Sequence, residues 1–309
     1  MDFRLTPEQT GFAQSLSELM TDADSVAAAR AWARGEHEPG FALWKRLADQ
    51  GVTALVAPED DGGLGGTPVD LVVAFEVLGH HLAVGPWIES AALVPQAEGE
   101  MVTIAVDPFT PYALDADVAR LLEGTIGEPV GSVDATRRLF SVESANADRA
   151  EPRSLDDAAL DLATLACAAE LLGCGERLLG DSVTYVGQRK QFGRSIGSFQ
   201  AIKHALADVR TALDFARPLL HGAAVVSTSS TAERACAVSA AKVGASDAAT
   251  LAARTALQVH GAIGYTAEFD LGLWINRVRA LVGAWGDTSY HRGRIAESLA
   301  SPPLDRQDH

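Results

Sequence analysis

Cysteine, methionine and aromatic residues are all sparse in this chain of 309 residues: three Cys, three Met, and 6% Phe, Trp and Tyr together. The cysteines, Cys167, Cys174 and Cys236, show none of the paired spacings of a zinc site. Cys167 and Cys174 fall seven apart, so on one helix they share a face without bonding. A reduced, cytoplasmic protein with buried thiols is expected. Positive charge is the next scarcity. Lys and Arg number 25 against 41 Asp and Glu, giving a formal net charge of −16. Nucleic acid is thereby excluded as a partner, because phosphate binding needs a basic face. No apolar run of membrane-spanning length is expected. Met1-Asp2-Phe3-Arg4 lacks the charged and apolar regions that open a signal peptide. No metal site is expected either: His80 and His81 are adjacent, and neighbours on a helix point apart. They are read as complementing the dipole at a helix end.

What is present is a large apolar fraction, 47% against 21% charged, as in a soluble globular protein. The length allows two or three domains. Residues 1–98 read as a helical domain. Thr6-Pro7-Glu8-Gln9 is a helix start, with Thr6 as N-cap and Gln9 completing a capping box. A short helix carrying Phe41, Leu43 and Leu47 closes at Gly51. The stretch 57–66 is a Gly- and Asp-rich turn region with no room for regular structure, and Thr67-Pro68 opens a further helix. Residues 99–152 change character. Met101–Val106 and Arg138–Val142 have strand composition, with Pro, Gly and Asp scattered between them. Residues 153–300 read as a four-helix-type bundle, with helices near 156–188, 199–226, 231–259, 268–281 and 287–300. Residues 301–309 are a polar tail. The expected fold class is mainly α, with a reduced β segment between two helical parts.

Within the bundle, Tyr185 to Gln200 stands between two helical runs and reads as a tight turn using Gly193 and Gly197. It carries Arg189, Lys190 and Arg194 on an otherwise acidic chain. Two readings remain open on the residues alone. Cations at a helix corner suit an anionic ligand or an acidic partner, and they equally suit the dipole of a helix end facing solvent.

Gln188-Arg189-Lys190-Gln191-Phe192-Gly193, followed by Phe199-Gln200, resembles the signature of the acyl-CoA dehydrogenase flavoproteins. Gln258-Val259-His260-Gly261-Ala262-Ile263-Gly264-Tyr265 resembles the same family's Gln-x-x-Gly-Gly-x-Gly-Tyr motif, with Ala262 in place of the second Gly. Residues 3–9, 44–51 and 58–65 resemble its N-terminal domain, and 134–139 the last part of its β-barrel. The resemblance implies FAD as cofactor and an acyl-CoA thioester as substrate. It also implies that Arg189, Gln191, Phe192, Gln200, Gln258, Gly261 and Ala262 contact the FAD of a neighbouring subunit. The family's barrel needs roughly 60–80 residues; about fifty are available here, so the earlier part of it is missing.

The family's catalytic carboxylate has no clear counterpart. The C-terminal segment that carries it is Gly286-Asp287-Thr288-Ser289 here, with Gly286 at the Glu position. The family's other base position falls on Ala163, with Asp161 out of register. Asp287 remains as a candidate base or as a helix N-cap. His260 is a weaker candidate beside the Gly turn, and Glu268 reads as a first-turn acid. Residues that the family uses toward a neighbour are kept, whereas those it uses for its own site are eroded. That asymmetry resembles the small subunits of actinobacterial heterotetrameric dehydrogenases of steroid-derived CoA thioesters. It implies a homologous full-length partner. A self-associating enzyme with Asp287 as base and a flavin-free scaffold subunit are the alternatives.

Overall fold

The computed structural model describes residues 4–95, 97–143, 156–227, 231–266 and 269–300. Glu268, Phe3 and the segment 301–309 lie outside them. Three helices come first: α1 (Pro7–Asp22), α2 (Ser25–Ala33) and α3 (Glu38–Asp49). Thr6 caps α1 through the Gln9 amide while the Gln9 side chain returns to the Thr6 N–H, the capping box that the sequence announces. Gly51 follows α3 at φ +86°, a left-handed position suited to glycine. A single 3₁₀ turn, Glu59–Asp61, forms inside the loop where no regular structure was expected. Helix α4 (Pro68–His80) has its own capping box between Thr67 and Asp70.

The two histidines after α4 do not act as dipole-complementing cations. His81 is buried, its Nε2 lies 2.8 Å from Ser17 Oγ, and burial pushes it down to about 4. Burial lowers His80 as well. Both rings are therefore neutral near pH 7, and His81 ties the end of α4 to α1.

The β segment is small. Strands β1 (Val102–Thr103) and β3 (Arg120–Leu121) pair in parallel. Strands β2 (Ala113–Leu114), β5 (Leu139–Glu143) and β4 (Thr125–Val130) form an antiparallel sheet in the order β2-β5-β4. Among the described residues there is no closed barrel. The expected strand at Met101–Val106 shrinks to two paired residues, while β4 arises where Gly127 and Pro129 hid a strand from the sequence.

The bundle consists of α5 (Asp157–Gln188), α6 (Gln200–Val226), α7 (Thr231–His260), α8 (Leu271–Gly283) and α9 (Thr288–Ala300). Helix α5 is long and apolar enough to cross a membrane by length and composition, contrary to the expectation above, but 78% of its most apolar stretch is buried inside the bundle. It is the central core helix. Gly173 and Gly79 let α5 and α4 touch, since a Cβ on either would strike the other helix's backbone. Helices α5 and α7 run parallel: Asp161 pairs with Arg234, a Cβ on Gly175 would lie 3.5 Å from Ala249 Cα, and Tyr185 stacks on His260. The small residues of α7 permit that approach. Cys167 and Cys174 are fully buried and unbonded, and burial pushes the Cys167 thiol up to about 11.

One guanidinium joins the parts. Arg277 on α8 is 1% exposed. Its Nε donates to Asp134 Oδ2 at 2.6 Å, Nη1 to Glu170 Oε1 at 2.7 Å and to Ala83 O at 3.0 Å, and Nη2 to Thr136 Oγ1 at 2.8 Å. Arg277→Met should cost about 3–5 kcal/mol in urea unfolding, because Asp134 and Glu170 would stay buried without their cation. Adding Asp134→Asn and Glu170→Gln should recover part of that loss. A second expectation concerns His291, which burial holds down to about 4 against an ordinary value near 6.5. Its ring should stay neutral at about pH 5.5 in an NMR titration, and the stability it lends, present above its unfolded value, is lost as pH falls toward about 4.

Candidate functional site

The hairpin after α5 is built by chain reversal over six residues. Helix α5 ends at Gln188 and is capped by Arg189, whose N–H donates to Tyr185 O. Strands β6 (Lys190–Gln191) and β7 (Arg194–Ser195) then pair antiparallel. Phe192 and Gly193 form the tip at φ +51° and +79°, the two left-handed residues of a primed hairpin turn. The sequence expectation of a helix-terminal glycine turn is thus corrected to a two-stranded hairpin. The positive φ of Phe192 is uncommon for a bulky residue, and its ring is 90% exposed. Phe199 supports it edge-on at 6.2 Å, and Arg194 stacks its guanidinium 4.0 Å from the Phe199 ring. Ser195 Oγ donates to Val186 O, tying the hairpin back to α5.

Because α5 and α7 are parallel, the second motif ends beside the first. Helix α7 stops at His260 and continues as a 3₁₀ turn, Gly261–Tyr265. The Tyr185 ring stacks on His260 at 4.2 Å, and Phe269 lies beside both, 5.3 Å from His260 and 6.5 Å from Tyr185. His260 is buried, its Nδ1 lies 2.8 Å from Ala256 O, and its Nε2 has no hydrogen-bond partner. Gly261 has φ +63° and open space where a Cβ would stand. Arg189, Gln191, Phe192, Gln200, Gln258, Gly261 and Ala262 are all exposed. The structure brings the two motifs to one end of the bundle and leaves them on its surface, with none of these side chains folded into the core.

The stretch at the family's base position is organised quite differently. Trp285 is buried at φ +57° and Gly286 follows at φ +89°. A Cβ on Gly286 would lie 2.7 Å from His291 Nε2 and from the Tyr290 ring. The loop is held from below by Lys242, which sequence reading passed over. Its buried ammonium donates to the carbonyls of Leu281, Val282 and Gly286 at 3.0–3.3 Å, capping the end of α8. A lone Lys on the small-residue face of α7 was the available signal. Asp287 is exposed, and its Oδ1 accepts from the Tyr290 N–H at 2.8 Å at the start of α9. Ala163 lies fully buried on α5, and Asp161 is engaged by Arg234 and Arg294.

Two family models match the chain: the acyl-CoA dehydrogenase N-terminal domain over residues 6–97 and the C-terminal domain over 155–300. The acyl-CoA dehydrogenase IpdE2 of Mycobacterium tuberculosis is 32% identical over 303 residues, spanning 88% of this chain and 92% of that protein. The chain belongs to the acyl-CoA dehydrogenase family. Solved structures agree on the fold. The ChsE4-ChsE5 complex from Mycobacterium tuberculosis matches with TM-score 0.80 at 20% identity, covering 98% of this chain and 100% of that one. A Tcur3481-Tcur3483 steroid ACAD variant gives 0.79 at 21% identity, over 95% and 98%. Butyryl-CoA dehydrogenase from Megasphaera elsdenii gives 0.77 at 20%, over 97% and 100%.

The left-handed Trp285-Gly286 turn can be probed through stability. Gly286→Glu, which restores a carboxylate, should destabilise the chain by about 1–3 kcal/mol, because a side chain is forced into the left-handed region against His291. Asp287→Ala should cost about 1 kcal/mol as a lost cap, and Asp287→Asn only a few tenths, since Asn caps as well. Urea unfolding of the three variants checks both statements.

Proposed function

We propose that this acyl-CoA dehydrogenase works as the half-site subunit of a heteromeric, FAD-dependent enzyme, lending part of a flavin site to a non-identical, full-length partner. The observation that carries the reading is the contrast between the two ends of the bundle. At one end, the residues that resemble the family's contacts to a neighbour's FAD stand exposed on a hairpin and a glycine turn. At the other, the base position is a glycine in the left-handed region, where an added Cβ would strike His291 and the Tyr290 ring. Such a chain is equipped to meet a cofactor across an interface and poorly equipped to abstract a proton itself.

The residues fit FAD in that role. Arg189 can neutralise a pyrophosphate oxygen through a charge-assisted hydrogen bond. Gly261 leaves room for the backbone to approach it. Phe192 offers a free aromatic face, whose exposure costs stability in a lone chain but none once covered. When bound, FAD supplies the acceptor for the hydride that leaves the β-carbon of the acyl group. The α-proton goes to a carboxylate of the partner, and this chain's part is to bind and orient. An acyl-CoA thioester is the proposed substrate. A steroid-derived acyl group is favoured because a matching fold carries that description. The unbonded cysteines, Cys167 and Cys174 buried and Cys236 half-buried, suit a cytoplasmic location.

Co-expression with full-length acyl-CoA dehydrogenases of the same genome, followed by flavin absorbance, tests the reading. Flavin is expected in the complex and not in the chain alone. Within the complex, Arg189→Ala should weaken FAD binding roughly ten- to hundred-fold, the loss of about 1.5–3 kcal/mol for a hydrogen bond to a charged group. Activity should return at least partly with excess FAD. Asp287→Asn should keep most turnover. Equal FAD dissociation constants for wild type and Arg189→Ala would remove the main support, and loss of turnover in Asp287→Asn with FAD retained would make Asp287 the base.

A further inference from the structure

The two flavin motifs stand on different helices, and their spacing has to be set by something between them. Both must present donors to one diphosphate, and such a constellation works only when its parts stay within about 0.5 Å of their productive places. Helices α5 and α7 run toward that corner with a nearly constant offset: Asp161 meets Arg234, Gly175 faces Ala249, and Tyr185 meets His260. The stripe of α7 that includes Ala249 is made of small side chains, with Ala245, Ala252 and Ala256 buried along it. Such a seam lets two helices come close, but its shallow ridges resist axial sliding only weakly. A slip of one residue moves a helix by about 1.5 Å, well beyond the tolerance of a shared site.

At the end of the seam the contact changes character. The Tyr185 and His260 rings stack at 4.2 Å with their planes inclined by 24°, and Phe269 closes the cluster beside them. Each ring is fastened to one motif. Tyr185 O accepts from the Arg189 N–H at 2.8 Å, where the hairpin begins. His260 is the residue from which the turn Gly261–Tyr265 starts, and a Cβ on Gly264 would lie 3.3 Å from the His260 Cβ. His260 Nδ1, 2.8 Å from Ala256 O, fixes the ring against its own helix. The imidazole is unsuited to hold an anion itself. Because Nδ1 faces a carbonyl it carries the proton, and Nε2 is a buried lone pair without a partner among the described residues. Burial lowers the ring from its ordinary value, so it is uncharged near pH 7. A lone pair turned toward phosphate oxygens would repel them.

We infer that Tyr185 and His260 are positioning residues, and that their stack is the spacer that sets the separation between the hairpin and the glycine turn so that both reach one diphosphate. This role rests on the reading of that corner as half of a flavin site. An aromatic pair suits it, since two flat rings in contact fix a distance that short aliphatic side chains leave free. The stack joins the last turn of α5 to the last residue of α7, so it acts where a slip would be felt by both motifs at once.

Titrating FAD into the apo-complex with the full-length partner, followed by flavin fluorescence, tests the spacer. Sedimentation velocity reports assembly, and urea unfolding of the lone chain reports stability. Tyr185→Leu and His260→Leu should each weaken FAD binding roughly tenfold or more while the complex still assembles. The double variant should bind no more weakly than either single one, because one lost ring already breaks the stack. Tyr185→Phe and His260→Phe keep two rings in contact and should stay within about threefold of the wild type. Should His260→Leu not fold, Tyr185→Leu decides alone, Tyr185 being only half-buried. Arg189→Ala separates two kinds of failure. If it weakens FAD binding and Tyr185→Leu does not, the spacer is overturned and the half-site reading stands. If neither variant weakens it, the half-site reading falls and the spacer with it. A chain destabilised by Tyr185→Leu with an unchanged FAD dissociation constant also overturns the spacer, because packing alone then explains the stack. So does an equal loss in Tyr185→Phe and Tyr185→Leu, which would make the hydroxyl and not the ring the active part.

Discussion

One buried cation ties together elements from every major part of this chain. Arg277 reaches the N-terminal helices through Ala83, the β segment through Asp134 and Thr136, and the central helix through Glu170. Removing a guanidinium from water costs several kcal/mol even after relaxation. Here the cost is offset by two carboxylates, a hydroxyl and a carbonyl at hydrogen-bond distance. An arrangement of that kind tolerates only one register between the elements that supply the partners. It also explains how a β segment with so little strand pairing keeps its place: its last turn is clamped by charge as well as by packing.

The same device recurs one turn further along. Lys242, buried on α7, holds three carbonyls at the end of α8. His291 closes the loop from the other side, with Nε2 2.9 Å from Trp285 O and Nδ1 3.1 Å from Ser239 Oγ. The Trp285 indole fills the interior between them. Placing an acidic residue at Gly286 would therefore not be a point change in an otherwise intact loop. The backbone there has turned left-handed and the space for a side chain is taken. A carboxylate side chain at position 286 cannot be accommodated without moving His291 and Tyr290.

How much of this was legible depended on how local the cause was. Helix starts at Thr6 and Thr67 could be read because a capping box is a four-residue pattern, and the long bundle helices because their apolar period repeats many times. Helix α2 was missed: its cap, Asp24, sits at φ +48°, in a conformation that no short pattern announces. Strand β4 was missed because Gly127 and Pro129 argue against a strand, and its pairing with β5 overrides them. The hairpin at Phe192 was read as a helix-end turn, since a phenylalanine with positive φ is not a default choice. His80 and His81 were misread because burial by α1 is a tertiary fact. The exposed candidate residues could be found from motifs. Tyr185 and His260, 75 residues apart, stack only once α5 and α7 lie side by side, and nothing in their neighbours says so.

The basic hairpin raised a question that the sequence left open, namely whether its cations merely answer a helix dipole. The fold permits an order-of-magnitude answer. Two parallel helices, α5 and α7, end there, and each contributes about half a negative charge. Helix α6 starts there and returns about half a positive one, with no side chain capping its first turn. The helix ends together amount to roughly half a negative charge, whereas Arg189, Lys190 and Arg194 bring three cations to the same corner. Dipole compensation therefore uses up only a small part of them. Arg194 is further engaged with the Phe199 ring, but a cation over an aromatic face keeps its charge. A net surplus of about two and a half positive charges stands exposed on a chain whose formal charge is −16. Long-range repulsion keeps acidic surfaces apart elsewhere on this protein, so an anionic group is drawn to that corner more than to any comparable stretch of acidic surface.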